Sequence, residues 1–567
     1  MRQTAQLGPD ARERAWERLD DGVVDVLVVG GGVTGAGVAL DAATRGLSTA
    51  LVEARDFASG TSSRSSKLFH GGLRYLEQMD FDLVREALRE RDLTVSRLAP
   101  HLVKPVSFLY PLRHYGWERL YVGAGLALYD LMGGSRALPR HRHLSRTRAR
   151  ALAPALKRSA LTGGIRYYDA QTDDARHTLT LVRTAAAYGA IVRSSTEVID
   201  FIREGGRVVG AELRDTETGA QTTVRAGVVV NATGVWTDDV QRLAESRGEF
   251  KVRASKGIHL VVPRDRIASE TGLVLRTEKS VLFVIPWGDH WIIGTTDDDW
   301  HYDKAHPAAS SIDIDYLLDH VNAVLSVPLT RDDISGVYAG LRPLLSGEYE
   351  ETSQLSREHA ISRSPRGMVS VAGGKYTTYR LMAKDAVDAA VADLGRHAPP
   401  CVTHQIPLLG ADGYHALANQ AESLAEGLDL PRWRIDHLLH RYGALLEEVL
   451  APAQEDRTWL EPVPGAGEYL MAEIRYGATH EGALHLDDVL TRRTRISIET
   501  SHRGTDSMKD VAAVLADVLD WDANETVREI ATYDARVAAE RASQEQTDDE
   551  NADAHRLIAP DTRLTLR

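Results

Sequence analysis

Apolar and polar positions recur along this chain in more than one rhythm, and each rhythm predicts an element. Residues 23–30, VVDVLVVG, form a compact apolar run ending at glycines, the signature of a strand buried on both faces of a parallel sheet. Residues 33–46, VTGAGVALDAATRG, have helical character, with Gly46 placed as a stop. Residues 47–54, LSTALVEA, read as a second strand, which completes a βαβ unit. Val84, Leu88, Val95 and Leu98 return at helical spacing, predicting a helix over 81–98. The pattern then changes. Residues 189–234 alternate like a meander with Gly-containing turns and end in a buried strand at 228–230. Further strands are expected at 258–263, within 281–297 and at 368–374, followed by a helix over 376–394. Pro399-Pro400 marks a boundary, beyond which 412–540 is mostly helical in pattern. Residues 541–555, RASQEQTDDENADAH, are polar enough to predict disorder.

Composition narrows the class. A chain of 567 residues can bury two or three cores, and its hydrophobic and charged fractions, 43% and 26%, are those of a soluble globular protein. The net charge of -14 argues against nucleic acid as a main partner. A single cysteine, Cys401, excludes an internal disulfide and a cysteine-ligated zinc or iron–sulfur centre. The N-terminal residues 1–22 lack the apolar core of a secretory signal, and no apolar run is long enough for a membrane-spanning helix. A cytoplasmic location is expected.

The chemistry starts at the first βα turn. Gly30, Gly32 and Gly35 make G-x-G-x-x-G directly after a strand and at the start of a helix. In such a turn the first glycine permits the tight bend, the second lets backbone approach a pyrophosphate, and the third lets helix and strand pack closely. Glu53 ends the second strand, where a carboxylate accepts from a ribose and disfavours a 2'-phosphate. FAD or NAD fits. The stretch that follows, TSSRSSKLFHGGLRYLE (61–77), favours the flavin. Its hydroxyls can donate to pyrophosphate oxygens, and Gly71-Gly72 lets backbone lie close beside a flat ring.

Six phrases in this order, VVGGGVTGAG, TSSRSSKLFHGGLRYLE, VVNATGVW, VIPWGDHWIIGTTD, YAGLRPLL and VAGGKYTTYRLMA, resemble FAD-dependent glycerol-3-phosphate dehydrogenase of the aerobic type. The likeness runs over about 22–395 and continues through LDDVLTRRTR (486–495). It implies an α/β fold. A Rossmann-like FAD-binding domain of the glutathione-reductase/D-amino-acid-oxidase type (about 22–80, 165–250 and 340–395) is interleaved with an antiparallel-sheet substrate domain. A helical domain over 401–540 and a flexible tail over 541–567 follow, and 1–22 reads as a helical or loose leader. The resemblance also implies a reaction: sn-glycerol 3-phosphate is oxidised at C2 to dihydroxyacetone phosphate, hydride passes to flavin N5, and electrons pass to the quinone pool. No metal is expected.

Family roles carry over residue by residue. Gly30, Gly32, Gly35 and Glu53 serve the ADP half of FAD, and Val198 its adenine end. Thr61, Ser62, Ser65, Ser66, Lys67 and Leu68 line the loop toward pyrophosphate and flavin. Thr233 and Gly234 lie beside the nucleotide, while Gly374, Lys375 and Thr378 close over the isoalloxazine. Arg342, Arg357 and Lys375 form a clamp for the substrate phosphate, with Arg74, Tyr75 and Thr295 also on the substrate side. His259 is the candidate base for the hydroxyl proton, although a strand histidine also fits a space-filling role; His70 is the alternative, and Arg342 can stabilise a developing alkoxide.

Three rivals share part of this reading. A soluble oxidase would pass electrons to oxygen and make hydrogen peroxide. An amine-oxidising flavoenzyme would need an arginine for a carboxylate rather than a phosphate clamp. A flavin-binding regulator would need no catalytic groups. The apolar part of the stretch 113–150 reads first as a helix buried in the substrate domain, while its composition with a basic flank also suits a peripheral contact with the inner face of the cell membrane. A homodimer is compatible with the sequence, which does not set oligomeric state.

Overall fold

The computed structural model describes residues 5–72, 79–133, 137–244, 250–277, 281–346, 359–363 and 366–563. Two large sheets carry the first two thirds of the chain, and helices dominate the rest. In the eight-stranded sheet, Gly22–Val29 lies between Thr49–Val52 and Gln221–Asn231, with all three parallel. Ile191–Arg193 and Met368–Gly373 extend the parallel row on either side. The meander expected over 189–234 is present as the antiparallel pair Thr196–Glu204 and Arg207–Asp215, docked on Gln221–Asn231.

The apolar run of the first strand is continuous because both of its faces are covered. Val26 and Val28 pack with Ala36, Ala39, Leu179, Val182 and Ala386 on the helical side. Leu27 and Val29 enter a second core with Ala15, Leu19, Phe201 and Leu213. The third fingerprint glycine is obligatory here: a Cβ on Gly35 would sit 1.9 Å from the Gly30 carbonyl oxygen.

The ten-stranded sheet is mostly antiparallel, and near one edge its strand Val252–Pro263 pairs with both Gly336–Leu345 and His290–Gly294. Ile258, Leu260 and Val262 point into a core with Leu317 and Val321 of the helix Ser311–Asn322. The period of two then sends Ser255, Gly257 and His259 to the opposite face, where the neighbouring strand sets Arg342, Gly340 and Tyr338 directly across from them. That face looks toward the parallel sheet.

Two expectations are corrected by the fold, those for 541–555 and for 81–98. The polar stretch 541–555 is not disordered: helix Ala523–Ser543 runs into it, and helix Asp549–Arg556 follows. Its order comes from specific burial, with Ala552 fully covered and Asp549 paired with the buried Lys256 ammonium. The leader takes the helical of its two expected forms, as helix Pro9–Leu19, with Arg12 donating to the Ser194 carbonyl and to Asp215. The helix over 81–98 is α-helical only to Leu93 and continues as a π turn to Leu98. In the 113–150 stretch, helix Trp117–Gly133 buries Val122, Leu126, Tyr129 and Met132 and exposes Trp117, Leu120, Tyr121 and Leu131. The helix is thus buried in the fold along one face and open along the other. Among the described residues no helix is long and apolar enough to cross a membrane.

Candidate active site

A cavity of about 670 Å³ runs between the two sheets. Gly30, Gly32 and Glu53 line one end, with Thr196, Glu197 and Val198. Thr61, Ser62, Ser65, Ser66 and Leu68 line its length, and His259, Arg342, Gly374 and Lys375 the far end. Thr233 and Gly234 complete the side formed by the turn after Gln221–Asn231. One elongated space therefore joins the residues expected to hold a dinucleotide to those expected to hold a phosphoester.

The glycine turn has the geometry a pyrophosphate needs. Gly30 is left-handed at φ +109°, and a Cβ there would meet the Ala232 carbonyl oxygen at 2.7 Å. Helix Val33–Thr44 begins at this turn, so its first N–H groups face the cavity with the positive end of the helix dipole. Ser62 Oγ accepts from Val33 N at 2.9 Å, which places the serine loop against the helix start. Glu53 accepts from the backbone N–H groups of Gly31 (2.6 Å) and Arg55 (2.8 Å), and burial pushes its carboxyl up from the usual range. The donor-rich wall and the glycine cradle fit FAD.

The serine loop is held from behind by charge. Asp174 accepts from Ser65 N (2.8 Å), Ser65 Oγ (2.7 Å) and Lys67 Nζ (2.7 Å), and from Arg495 Nη2 (2.5 Å) of the C-terminal region. Lys67 also donates to the Ser63 carbonyl, and its ammonium lies over the rings of Tyr338 and Trp287. The expectation that Lys67 lines the cavity is thereby corrected: its side chain is fully buried in an ion cluster, and burial with Arg495 nearby lowers its pKa.

At the far end the sheet presents a bare strip. Gly257 and Gly340 face each other across strands Val252–Pro263 and Gly336–Leu345, flanked by the pair His259–Tyr338 on one side and Ser255–Arg342 on the other. A Cβ on Gly257 would meet Arg342 Nη2 at 2.4 Å, and one on Gly340 would meet the Arg64 carbonyl oxygen at 2.3 Å. The glycines thus let the arginine and the serine loop lie flat on the sheet. Arg342 is held by Thr295 Oγ1 (3.0 Å), the Thr296 carbonyl (3.0 Å), Ser255 Oγ (3.3 Å) and Asp297 (3.2 Å). Thr295 is absent from the cavity wall and acts on it through this arginine.

His259 stacks on Tyr338 at 4.7 Å, and its Nε2 lies 2.9 Å from Ser66 Oγ. Its Nδ1 is buried with no hydrogen-bond partner among the described residues. Burial, then Arg342 and Lys67, hold its pKa well below the ordinary imidazole value, so the ring is neutral at neutral pH. His70 also lines the cavity, and its backbone N–H donates to Thr377 Oγ1 at 3.2 Å. Thr378 does not reach the cavity, because it is buried with its hydroxyl donating to the Lys375 carbonyl. Gly35 serves packing rather than lining. Arg74, Tyr75 and Arg357 lie outside the described residues. Among the described residues no cluster of His, Cys, Asp or Glu could hold a metal.

Several wall residues escaped the sequence reading. Arg64 lines the cavity inside the quoted serine stretch, and its guanidinium donates to the Ala305 carbonyl at 3.0 Å. Burial and the neighbouring Arg492, Arg556 and Arg536 push its pKa down to about 10. Arg55, Trp236, Gly257, Gly340 and Arg563 also line the space. Gly257-x-His259 and Gly340-x-Arg342 were readable as two strand-spaced pairs sharing one face; Arg563 carried no local signal.

Comparison with known proteins agrees with this geometry. The family described as FAD dependent oxidoreductase matches residues 25–388, and the C-terminal domain of alpha-glycerophosphate oxidase matches 401–526. Glycerol-3-phosphate dehydrogenase 2 of Mycobacterium tuberculosis is 60% identical over 562 residues, covering 99% of this chain and 96% of its own. Glycerol-3-phosphate dehydrogenase of Mycobacterium leprae is 60% identical over 560 residues, with the same coverage. The X-ray structure of the glycerol-3-phosphate dehydrogenase from Bacillus halodurans complexed with FAD is 30% identical, with a TM-score of 0.77, covering 94% of this chain and 98% of that one.

Proposed function

The chain belongs to the FAD-dependent glycerol-3-phosphate dehydrogenase family, and from that premise we propose that it oxidises C2 of sn-glycerol 3-phosphate to dihydroxyacetone phosphate and delivers the electrons to a quinone. The observation that carries this reading is the glycine-bared strip that brings His259 and Arg342 to the end of a cavity whose other end is the dinucleotide turn. Bound FAD supplies the acceptor for the hydride that leaves C2.

The chain's own residues supply binding and proton handling. Arg342 and Lys375 bind the phosphoester, and the four contacts on Arg342 fix its orientation before substrate arrives. His259 accepts the C2 hydroxyl proton at Nε2, where the substrate hydroxyl takes the place of Ser66 Oγ, and Tyr338 holds the ring plane. A neutral imidazole is the form a base requires. The charge that develops on the C2 oxygen is stabilised by the Arg342 guanidinium.

Anaerobic mixing with glycerol 3-phosphate tests the reaction directly: the flavin band near about 450 nm, a property of the cofactor, should bleach, and a quinone analogue should restore it. Arg342→Ala and Lys375→Ala should each weaken kcat/KM by about 2–4 kcal/mol. Unchanged kinetics in both variants would refute the clamp. For the second half-reaction, the exposed Trp117, Leu120, Tyr121 and Leu131 and the basic residues beyond them support peripheral attachment to an anionic membrane at the cytoplasmic face. Co-sedimentation with anionic vesicles, lost on Trp117→Ser with Leu120→Ser, checks that attachment. The oxidase reading draws on the description of the family matched over 401–526. Vigorous oxygen uptake unaffected by a quinone analogue would favour it.

A further inference from the structure

Residues 544–563 cross the molecule rather than trail from it. Helix Asp549–Arg556 is anchored on the substrate domain, with Asp549 paired to Lys256 and Asp553 accepting from Asp303 N at 3.2 Å. Ala552 is buried there with Val235, Ala254, Trp300 and Leu341. The chain then runs without regular structure through the exposed Leu557 and Ile558 to the dinucleotide domain. There Asp561 accepts both Nη1 and Nη2 of Arg55, at 3.1 and 2.6 Å, and also faces His306 Nε2 at 3.4 Å. Two residues on, Arg563 donates to Ser195 Oγ (2.8 Å) and to both oxygens of Asp488 (3.1 and 3.0 Å), with Glu217 3.6 Å away.

Arg563 is 3% exposed and lines the cavity together with Arg55, Thr196 and Thr216, near Glu53 and Val198. It is therefore the one segment-borne side chain among the described residues of 544–563 that forms part of the cavity wall. Its anchors come from three parts of the chain: Ser195 and Glu217 from the dinucleotide sheet region, Asp488 from the C-terminal region and Asp561 from the segment itself.

We propose that residues 557–563 are a strap that closes the adenosine end of the FAD cavity, with Arg563 as a cofactor-binding residue and the Arg55–Asp561 pair as its catch. The proposal rests on the assignment of FAD to this cavity. Segments with few buried apolar contacts open at low free energy, and 557–562 is held almost entirely by polar anchors at one end. FAD exchange then follows strap opening rather than unfolding of the domain. Coupling of this kind is reciprocal, so bound FAD must also hold the strap shut.

Two measurements on the holoenzyme test it. Asp561 lies outside the cavity lining, so Asp561→Asn removes the catch without removing a cavity group. Both Asp561→Asn and Arg563→Gln should release FAD at least tenfold faster than the parent chain, followed by flavin fluorescence after dilution. In the unmutated chain, amide hydrogen exchange over 557–563 should speed up when FAD is stripped, while the sheet strands Gly22–Val29 and Gln221–Asn231 should stay protected. Release at the parental rate in both variants, or identical exchange of 557–563 with and without FAD, overturns the strap. Parent protein that stays colourless when supplied with FAD would instead sink the cofactor assignment beneath it.

Discussion

Replacing Asp174 by asparagine tests how the C-terminal region supports the serine loop. Asp174 is fully buried and accepts from Ser65, Lys67 and Arg495, which places one carboxylate between the loop and a residue 321 positions further along the chain. Asparagine keeps the shape and loses the charge. Arg495 retains Asp173 at 2.6 Å, so the stranded cation is Lys67, left with the Ser63 carbonyl and two aromatic faces. Removing one partner of a buried pair costs about 3–5 kcal/mol. An independent ceiling comes from deprotonation. A lysine that ordinarily titrates near about 10.4 can be neutralised at pH 7 for about 1.36 × 3.4, or about 5 kcal/mol, so the penalty cannot exceed that figure. At pH 9 the same ceiling is about 2 kcal/mol. The sign follows from linkage. Lys67 has a folded-state pKa below its unfolded one, so the unfolded chain binds more protons and stability rises with pH. The destabilisation of Asp174→Asn in urea unfolding, with FAD saturating, should therefore be about 3–5 kcal/mol at pH 7 and fall to about 2 kcal/mol or less at pH 9. A gap that stays constant between the two pH values, or one under about 1 kcal/mol at pH 7, would refute the assignment of the stranded charge to Lys67.

The remaining expectations concern the far end of the cavity. His259→Gln should lower turnover of glycerol 3-phosphate by about 10²–10⁴-fold with FAD content unchanged. Because burial holds the His259 pKa well below the ordinary value, the acid limb of kcat/KM should also fall below pH 6.5, and a limb at or above that value would contradict the neutral-base reading. Gly257→Ala puts a Cβ 2.4 Å from Arg342 Nη2 and 2.5 Å from Thr295 Oγ1, so the guanidinium must move. KM should rise by about tenfold or more while the flavin spectrum is retained, and normal KM would show that the strip does not position the arginine.

What could be read in the sequence was what is local. The fingerprint glycines, the run of valines after them and the serine stretch each express their role within a few residues, so the dinucleotide turn and the parallel strands stand where the pattern puts them. Lys67 shows the limit. Within TSSRSSKL it looks like one more donor facing a phosphate, but its direction is set by Asp174 and Arg495, 107 positions from the lysine and 321 positions from the aspartate respectively. The same holds for 541–555, where a composition that reads as solvated becomes ordered because Lys256 is buried and needs carboxylates. Buried cations recruit distant acids, and no window of the sequence displays that demand.

The net charge of -14 is equally misleading when applied to the site. The cavity wall carries Arg55, Arg64, Arg342, Lys375 and Arg563 against Glu53, Glu197 and Asp239, an excess of cations facing a space suited to a pyrophosphate and a phosphoester. These cations are not interchangeable. Arg342, Arg55 and Arg563 each hold a carboxylate partner, which fixes their geometry and spends part of their field. Arg64 donates to a carbonyl and is crowded by other guanidinium groups, so its charge is the least compensated of the arginines in the wall. The work therefore divides between arginines tethered to carboxylates, which set shape and direction, and Arg64, which supplies field. An acidic surface and a basic interior cavity are compatible because water and salt screen the exposed charges over a short range, whereas the cavity's cations act at close quarters where screening is weak.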